Sequence, residues 1–365
     1  MTAVQIGGAV LGAVLVVVTV ISAGNVLVMP RGERSGFSRT IDRIVTAVVR
    51  VIAKRITDYR LLDRVLATSA IIRLGVIVVA WLGAMWIGFS LILWPIVGSI
   101  ASAFREAGSS MLTLGFASTT EGGATAVDFL AAVSGFGLIT IFIAYLPSLY
   151  SSFTRREALV TLLDSRGGSP PWGPEILARH QLVSIVDDLG PLYAAWEAWA
   201  AEVAESHATY PILVQFRSPH PNRSWLLGLL SVMDAAALHL ALNPSAAPSS
   251  ARLCIRMGFV CLRTICDSLR IPYDPDPTPE SPLELTRSDF DEAVAHLEAA
   301  GFPMETSSDA AWPHFRGWRV NYEATAYALA DLISAPHAPW SGGRSLVDGE
   351  PTYPSRPADR RPDEE

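Results

Sequence analysis

Three apolar segments constrain the fold of this chain more than any other feature. Residues 1–30, 74–104 and 129–154 contain no charged side chain. Each segment is longer than the roughly 20 apolar residues that a helix needs to cross the hydrocarbon core of a bilayer. Only 17 % of the 365 residues are charged, below the roughly 25 % of ordinary soluble domains. The sequence therefore predicts an all-α membrane protein with three transmembrane helices.

The first transmembrane helix is predicted over residues 3–29, within a first domain of residues 1–30. A cleaved signal peptide is the alternative, but such peptides begin with a basic region. No Lys or Arg precedes Arg31, which favours a permanent span. Small residues along the segment would let another helix approach closely; they are Gly7, Gly8, Gly12 and Gly24.

A basic segment follows the first span and is assigned to a second domain of residues 31–72. From Arg31 to Arg73 the net charge is +6 in a chain whose total is −7, so the remainder carries −13. Basic segments between spans lie on the cytoplasmic side. Apolar residues recur among the basic ones at helical spacing, which argues against a nucleic-acid partner.

One amphipathic helix is predicted over residues 40–67. Two interpretations are equally favoured: the helix lies on the inner membrane surface with its cations near anionic lipid phosphates, or it packs on the cytoplasmic domain. Its apolar stripe comprises Ile41, Ile44, Val45, Val48, Val49, Ile52 and Ile56, and Arg43, Arg50 and Lys54 lie on the opposite side.

The segment between the second and third spans carries the strongest functional signal. A second span is predicted from residue 74 to about residue 95, a short pore helix over residues 100–112 and a third span over residues 126–150. After the short helix, residues 109–117 read Ser-Ser-Met-Leu-Thr-Leu-Gly-Phe-Ala. A cation crossing a bilayer must exchange its water for protein oxygens, and rings of backbone carbonyls do this. Such a backbone needs left-handed dihedral angles, which glycine adopts most cheaply.

This pattern resembles the pore module of potassium channels, whose filter reads Thr-Val-Gly-Tyr-Gly. Thr113, Leu114, Gly115 and Phe116 match that filter in kind, and Ala117 stands where the family has its second glycine. The resemblance covers about residues 74–155, within a pore module assigned to residues 73–155. It implies a re-entrant pore helix and a filter formed by these five residues, in which Phe116 wedges against the pore helix.

The resemblance also implies an assembly and a gate. One chain carries one filter loop, so an ion path would need a homotetramer. Inner helices of the family bend at a glycine, which makes Gly135 and Gly137 hinge candidates. Pro147 is a further gate or hinge candidate, because proline removes a helix hydrogen bond and can kink the inner end. Helix packing is an equally favoured role for the two glycines. The permeant ion would be K⁺ or another monovalent cation, with no cofactor and no other metal.

Ala117 is the main departure from the family pattern. A left-handed alanine costs about 1–2 kcal/mol, unless the outer end of the filter has a different shape. The chain could then conduct potassium, conduct cations with little selectivity, or not conduct. The favoured function is a cation channel; the alternative is a membrane-anchored signalling or partner-binding protein with a vestigial pore. An enzyme held at the membrane is the third class, and no catalytic motif supports it.

Charge distribution predicts the orientation. The amino terminus would lie outside the cell membrane, and the basic segment and the remainder of the chain after the third span would lie in the cytoplasm. There, residues 156–335 are predicted to form a helical domain with an unidentified partner or ligand, entered through a linker at residues 167–171. Residues 336–365, rich in Pro, Gly, Arg and Asp, are predicted to be a disordered tail.

Two features of the second half have ordinary structural explanations. Residues 225–242 are apolar over a membrane thickness, but they contain Asp234 and His239, so a buried core helix is predicted there. The three cysteines, Cys254, Cys261 and Cys266, show no metal-binding spacing. They are interpreted as small apolar side chains in a reduced compartment.

Overall fold

A computed structural model describes residues 2–29, 36–346 and 349–356 and is all-helical over those ranges, which confirms the predicted α class. The chain divides into two compact units. The first unit comprises the described parts of residues 1–52 and 68–151, and the second comprises those of residues 53–67 and 152–365. Among the described residues, four helices are long and apolar enough to cross a membrane, so the chain has the composition of a membrane protein.

Five helices account for the chain up to residue 167. They are α1 (Ala3–Leu27), α2 (Gly36–Ala53), α3 (Tyr59–Val97), α4 (Ile100–Met111) and α5 (Gly122–Gly167). Residues 59–67 of α3 and residues 152–167 of α5 belong to the second unit. Three of the membrane-length helices are therefore α1, α3 and α5, at the three positions expected from the apolar segments.

The prediction of one helix over residues 40–67 was wrong. Helix α2 ends at Ala53, and α3 begins at Tyr59. The reason is Asp58, whose Oδ1 accepts the backbone N–H of Arg60 at 3.0 Å. An aspartate in this position supplies an acceptor for an otherwise unpaired N–H at a helix start. Part of the basic segment, residues 31–35, lies outside the described residues.

Helices α1 and α3 pack through glycines. A Cβ atom added to Gly12 would lie 2.4 Å from the backbone oxygen of Gly88, so the two backbones are in direct contact. Further along, the indole N–H of Trp81 donates to Ser22 Oγ at 3.0 Å in a buried position. Close backbone approach and interhelical hydrogen bonds are how helices associate in lipid.

The remaining helices form the second unit with the ends of α3 and α5. They are α6 (Gly173–Leu182), α7 (Leu189–Thr209), α8 (Trp225–Leu242), α9 (Ser249–Leu269), α10 (Arg287–Ala299), α11 (Ser308–Arg319) and α12 (Glu323–Leu332). Helix α8 is the fourth membrane-length helix, but every one of its residues is buried. It packs against α6, α9 and α11, which agrees with the predicted core helix.

A buried arginine ties α11 to its neighbours. Arg319 is fully buried and forms an ion pair with Asp234 of α8. Its Nε also donates to Glu323 Oε2 at 2.6 Å, and its Nη2 donates to Tyr327 Oη at 2.7 Å and to the Trp340 oxygen at 2.8 Å. A buried guanidinium with this many acceptors fixes the relative position of the helices that supply them.

One short segment of the second unit binds both the start of α3 and the end of α5. Nη1 of Arg156 donates to the Leu213 oxygen at 2.8 Å, and Nη2 donates to the Phe216 oxygen at 2.6 Å. The next residue, Arg217, forms an ion pair with Asp63 of α3. We call residues 211–217 the clamp segment. Helix α5 continues to Gly167, and residues 168–171 of the predicted linker form a turn that leads to α6.

The prediction of a disordered tail after residue 335 was wrong for the described part. Arg344 is buried and donates to the backbone oxygens of Ala335 and Ser341 at 3.0 and 2.7 Å. The rings of Trp340 and Tyr353 both pack edge-on against Trp172. Two large aromatic rings and a satisfied arginine order this segment despite its polar composition. Residues 347–348 and 357–365 lie outside the described residues.

Glu175 fastens residues 349–356, which we call the C-terminal strap. Its nearly buried carboxylate accepts hydrogen bonds from Arg356 Nε at 2.7 Å, Arg179 Nε at 2.8 Å and His296 Nε2 at 2.8 Å. Burial raises the pKa of this carboxyl, but the hydrogen bonds from His296, Arg356 and Arg179 together outweigh it. The pKa is therefore held well below the usual value of 4.5.

Acid is expected to release the strap. A carboxyl with a depressed folded-state pKa contributes stability above its unfolded pKa and loses it as the pH falls through the folded value. We expect hydrogen exchange of Thr352, whose N–H donates to the His337 oxygen at 2.8 Å, to be slow at pH 7 after correction for intrinsic rates and to become fast as the pH drops below about 4.5. Glu175→Gln should give fast exchange already at pH 7. Glu202→Gln, in an exposed pair with Arg155, is the matched control; equal protection in both variants would contradict the assignment.

Candidate ion-conducting site

The candidate site is the loop of residues 112–121 that joins α4 to α5 in the first unit. Helix α4 begins after Ser99, whose Oγ accepts the Ser102 N–H, and ends at Met111. This is the position predicted for a pore helix.

Helix α4 is held from the side of α3 by Trp86. The Trp86 indole N–H donates to the backbone oxygen of Phe104 at 2.8 Å. The two rings of these residues also meet edge-on, with centroids 5.4 Å apart. Because the hydrogen bond takes a backbone oxygen of α4, it fixes the helix itself and not only a side chain.

Helix α4 is held from the side of α5 at its carboxyl end. Ser110 Oγ donates to Asp128 Oδ1 at 2.7 Å. A Cβ atom on Gly135 would lie 2.3 Å from the backbone oxygen of Met111, so α5 touches the last turn of α4 at this glycine. The contact favours the packing role for Gly135 over the hinge role.

The loop is anchored to α4 by Glu106 and Ser109, of which Glu106 lies outside the filter pattern of residues 109–117. Glu106 is buried, and its Oε1 and Oε2 accept the N–H and the Oγ–H of Thr119 at 2.9 and 2.7 Å. The backbone oxygen of Ser109 accepts the Leu114 N–H at 2.7 Å, and the side-chain Oγ of Ser109 accepts the Ala117 N–H at 3.0 Å. Glu106 and Ser109 are three residues apart, on one face of the helix. In the sequence, the sign of this anchoring role was the presence of two polar side chains on one face of a short helix.

These hydrogen bonds determine where the loop carbonyls point. In a trans peptide the N–H and the preceding C=O lie in one plane and point in opposite directions. The N–H groups of residues 114, 117 and 119 point towards acceptors on α4. The carbonyls of Thr113, Phe116 and Ser118 therefore point away from α4. The loop thus presents several backbone oxygens on the side opposite its supporting helix.

The predicted left-handed backbone occurs at two of the five filter candidates. Gly115 has φ 72° and Thr113 has φ 54°. For a β-branched residue a positive φ is a genuine outlier that must be held by its surroundings. Ala117 does not have a positive φ, although the described residues include it. At Ala117 the loop therefore lacks the left-handed backbone that the second glycine of the family pattern would permit.

Phe116 and Leu114 expose most of their side chains, at 56 % and 60 %. The Arg105 guanidinium lies 5.5 Å from the Phe116 ring centroid, so Phe116 does meet a residue of α4, but on its exposed side. An apolar cleft of about 510 Å³ lies beside this loop. Its walls come from α3, α4 and the loop and include Val79, Leu82, Trp86, Phe104, Met111 and Leu112.

The other two hinge candidates lie within an uninterrupted helix. A Cβ atom on Gly137 would meet nothing within 4 Å, so close packing does not explain this glycine. Pro147 lies inside α5, which continues to Gly167. Bending at either residue stays a prediction.

The three cysteines of the second unit are free and buried. Burial raises the pKa of the Cys266 thiol to about 12, and it also raises the pKa of Cys254 and Cys261. Thiolates are the reactive form of cysteine, so these side chains are unreactive. Among the described residues, no group of three or more His, Cys, Asp or Glu side chains is placed to hold a metal ion.

No family model, curated protein or solved structure matches the chain.

Proposed function

We propose that the chain forms a homotetrameric channel that passes monovalent cations, most readily potassium. The observation that carries the proposal is that N–H groups of the loop after α4 bond to Glu106 and Ser109. The carbonyls of Thr113 and Phe116 are then directed away from the helix. Oxygens arranged in this way can replace the water of a cation. The proposed ion-binding residues are Thr113, Leu114, Gly115, Phe116 and Ala117.

The tetramer follows from the number of loops. One loop provides oxygens on one side of an ion, and a closed ring of identical loops provides them on all sides. Helix α5 also carries a row of exposed apolar side chains at helical spacing, Phe129, Val133 and Phe136, with exposures of 69, 70 and 66 %. Such a row is suited to contact with lipid or with a second copy of the chain.

We propose a cell-membrane location with the second unit in the cytoplasm. The support is the net charge of +6 over residues 31–73, since basic segments between spans stay on the cytoplasmic side. With both ends of the pore module inside, α4 and its loop would enter from the outer side.

Cation flux into vesicles tests the proposal. Purified protein reconstituted into liposomes loaded with KCl should take up ⁸⁶Rb⁺ against an external solution without potassium, and chloride flux should be absent. We expect Gly115→Ala and Thr113→Ala each to lower the uptake at least tenfold, because both disturb the backbone that presents the oxygens.

Gly75→Ala and Thr264→Ala are the matched controls. A Cβ atom on Gly75 meets nothing within 4 Å, and the Thr264 hydroxyl on α9 of the second unit bonds within its own helix, to the Val260 oxygen at 2.8 Å, so neither change should alter uptake. Uptake that is unaffected by changes at both Gly115 and Thr113 would refute the filter assignment. A stable tetramer without any uptake would favour the alternative of a signalling protein with a vestigial pore, to which the shape at Ala117 gives some support.

A further inference from the structure

Helix α2 has an apolar stripe that is exposed in the structure. Ile44, Val48, Val51 and Ile52 follow the spacing i, i+4, i+7 and i+8, which places them on one face. Their side chains are 59, 54, 59 and 47 % exposed. Four large apolar side chains side by side on one helix face indicate contact with something other than water.

Basic side chains lie on a different face of the same helix. Arg39, Arg43 and Arg50 are all exposed, and their spacing of i, i+4 and i+11 puts them in one row. A helix with an apolar face and a row of arginines on its opposite side can lie flat in a membrane interface. Its apolar side chains then enter the acyl region, and the guanidinium groups reach the phosphates.

An ion pair places α2 at the level of the membrane boundary. Asp42 pairs with Arg73 of α3, whose side chain is 9 % exposed. Arg73 is the last charged residue before the charge-free segment of residues 74–104. The residue that α2 binds therefore marks the start of the apolar part of α3, where the hydrocarbon core would begin.

We propose that α2 is a docking surface for the anionic phospholipid leaflet, with Ile44, Val48, Val51 and Ile52 inserted and Arg39, Arg43 and Arg50 bound to lipid phosphates. Charge complementarity decides the occupant: this row of cations fits an anionic surface. The sequence left open whether α2 packs on lipid or on protein, and the ion pair at Arg73 favours lipid. This inference is independent of whether the chain conducts ions.

Depth-dependent quenching in reconstituted full-length protein tests the proposal. The native cysteines are buried, so a bimane label can be attached selectively to Val48→Cys. In vesicles with 30 % phosphatidylglycerol, lipids with a nitroxide on the acyl chain should quench this label at least threefold more than a label on Leu253→Cys. Leu253 is the matched control because it is 49 % exposed on α9 of the second unit.

A second experiment tests the role of lipid charge. Each basic residue near an anionic surface contributes about fivefold to association, so Arg43→Gln with Arg50→Gln should weaken it about 25-fold. We expect this variant to lose most of the acyl-chain quenching at about 0.1 M NaCl, where the parent protein retains it. At about 0.5 M NaCl the quenching of the parent should fall towards that of the variant, because salt screens the lipid charge. Arg252→Gln with Arg256→Gln, two exposed arginines of α9, should behave like the parent protein.

Three results would overturn the proposal. Equal quenching at positions 48 and 253 would show that α2 does not enter the bilayer. Equal quenching at position 48 in pure phosphatidylcholine and in anionic vesicles would remove the role of lipid charge. Efficient disulfide formation between Val48→Cys residues of two copies, with no acyl-chain quenching, would assign the stripe to a second copy of the chain.

Discussion

Replacing Glu106 with alanine is expected to speed hydrogen exchange of residues 113–119 by at least 100-fold. The carboxylate accepts two hydrogen bonds from Thr119, and hydrogen bonds to charged groups contribute about 1.5–3 kcal/mol each. Losing both therefore favours loop opening by about 3 kcal/mol or more. If the loop conducts ions, ⁸⁶Rb⁺ uptake should fall at least tenfold in the same variant, since the carbonyls lose their fixed orientation.

Two companion variants separate anchoring from general damage to α4. Glu106→Gln retains an oxygen that can accept one hydrogen bond from Thr119, so its exchange should lie between those of the parent and the alanine variant. Ser102→Ala removes a hydroxyl from an exposed residue of the same helix and should leave the loop unchanged. Slow exchange in Glu106→Ala, equal to that of the parent, would show that this carboxylate does not hold the loop.

Replacing Arg319 with methionine is expected to destabilise the second unit by about 3–5 kcal/mol. The change leaves the carboxylates of Asp234 and Glu323 buried without their cation, and breaking a buried ion pair from one side costs this amount. For a unit of this size we expect the midpoint of thermal unfolding to fall by about 10 °C. Circular dichroism of the detergent-solubilised protein measures the shift.

Two further substitutions should restore stability to the Arg319→Met variant. Adding Asp234→Asn and Glu323→Gln removes the uncompensated charges, so a large part of the lost stability should return. Arg252→Met, at an exposed position of α9, is the matched control and should change the midpoint by less than 1–2 °C. A loss below about 1 kcal/mol in Arg319→Met would mean that the two carboxylates find other partners or bind protons.

The sequence predicted the parts of the fold that depend on long apolar segments. The positions of α1, α3, α4 and α5 follow from hydropathy and from a short capped helix, and Asp234 correctly indicated that α8 lies in a core. The start of α3 could not be found in this way, because one hydrogen bond to Asp58 decides it. The strap was missed for a similar reason: composition does not show that Arg356 meets Glu175 across 181 residues of chain.

Residue type was enough to select the filter candidates, but it did not show which residues hold their backbone in place. Thr113 and Gly115 do adopt left-handed backbone, as a chain of carbonyls on one side requires. Glu106 and Ser109 act through bonds to N–H groups later in the chain, and such contacts exist only once the loop is folded. Residue type also could not show that the Ala117 N–H bonds to the hydroxyl of Ser109.

The clamp segment restricts how α3 and α5 can separate. Arg156 donates to its carbonyls and Arg217 pairs with Asp63, so neither helix can slide by an ångström or two at this level without losing buried polar contacts. The clamp segment therefore holds these two helix ends at a fixed spacing. Any widening between them has to come from curvature within the helices themselves.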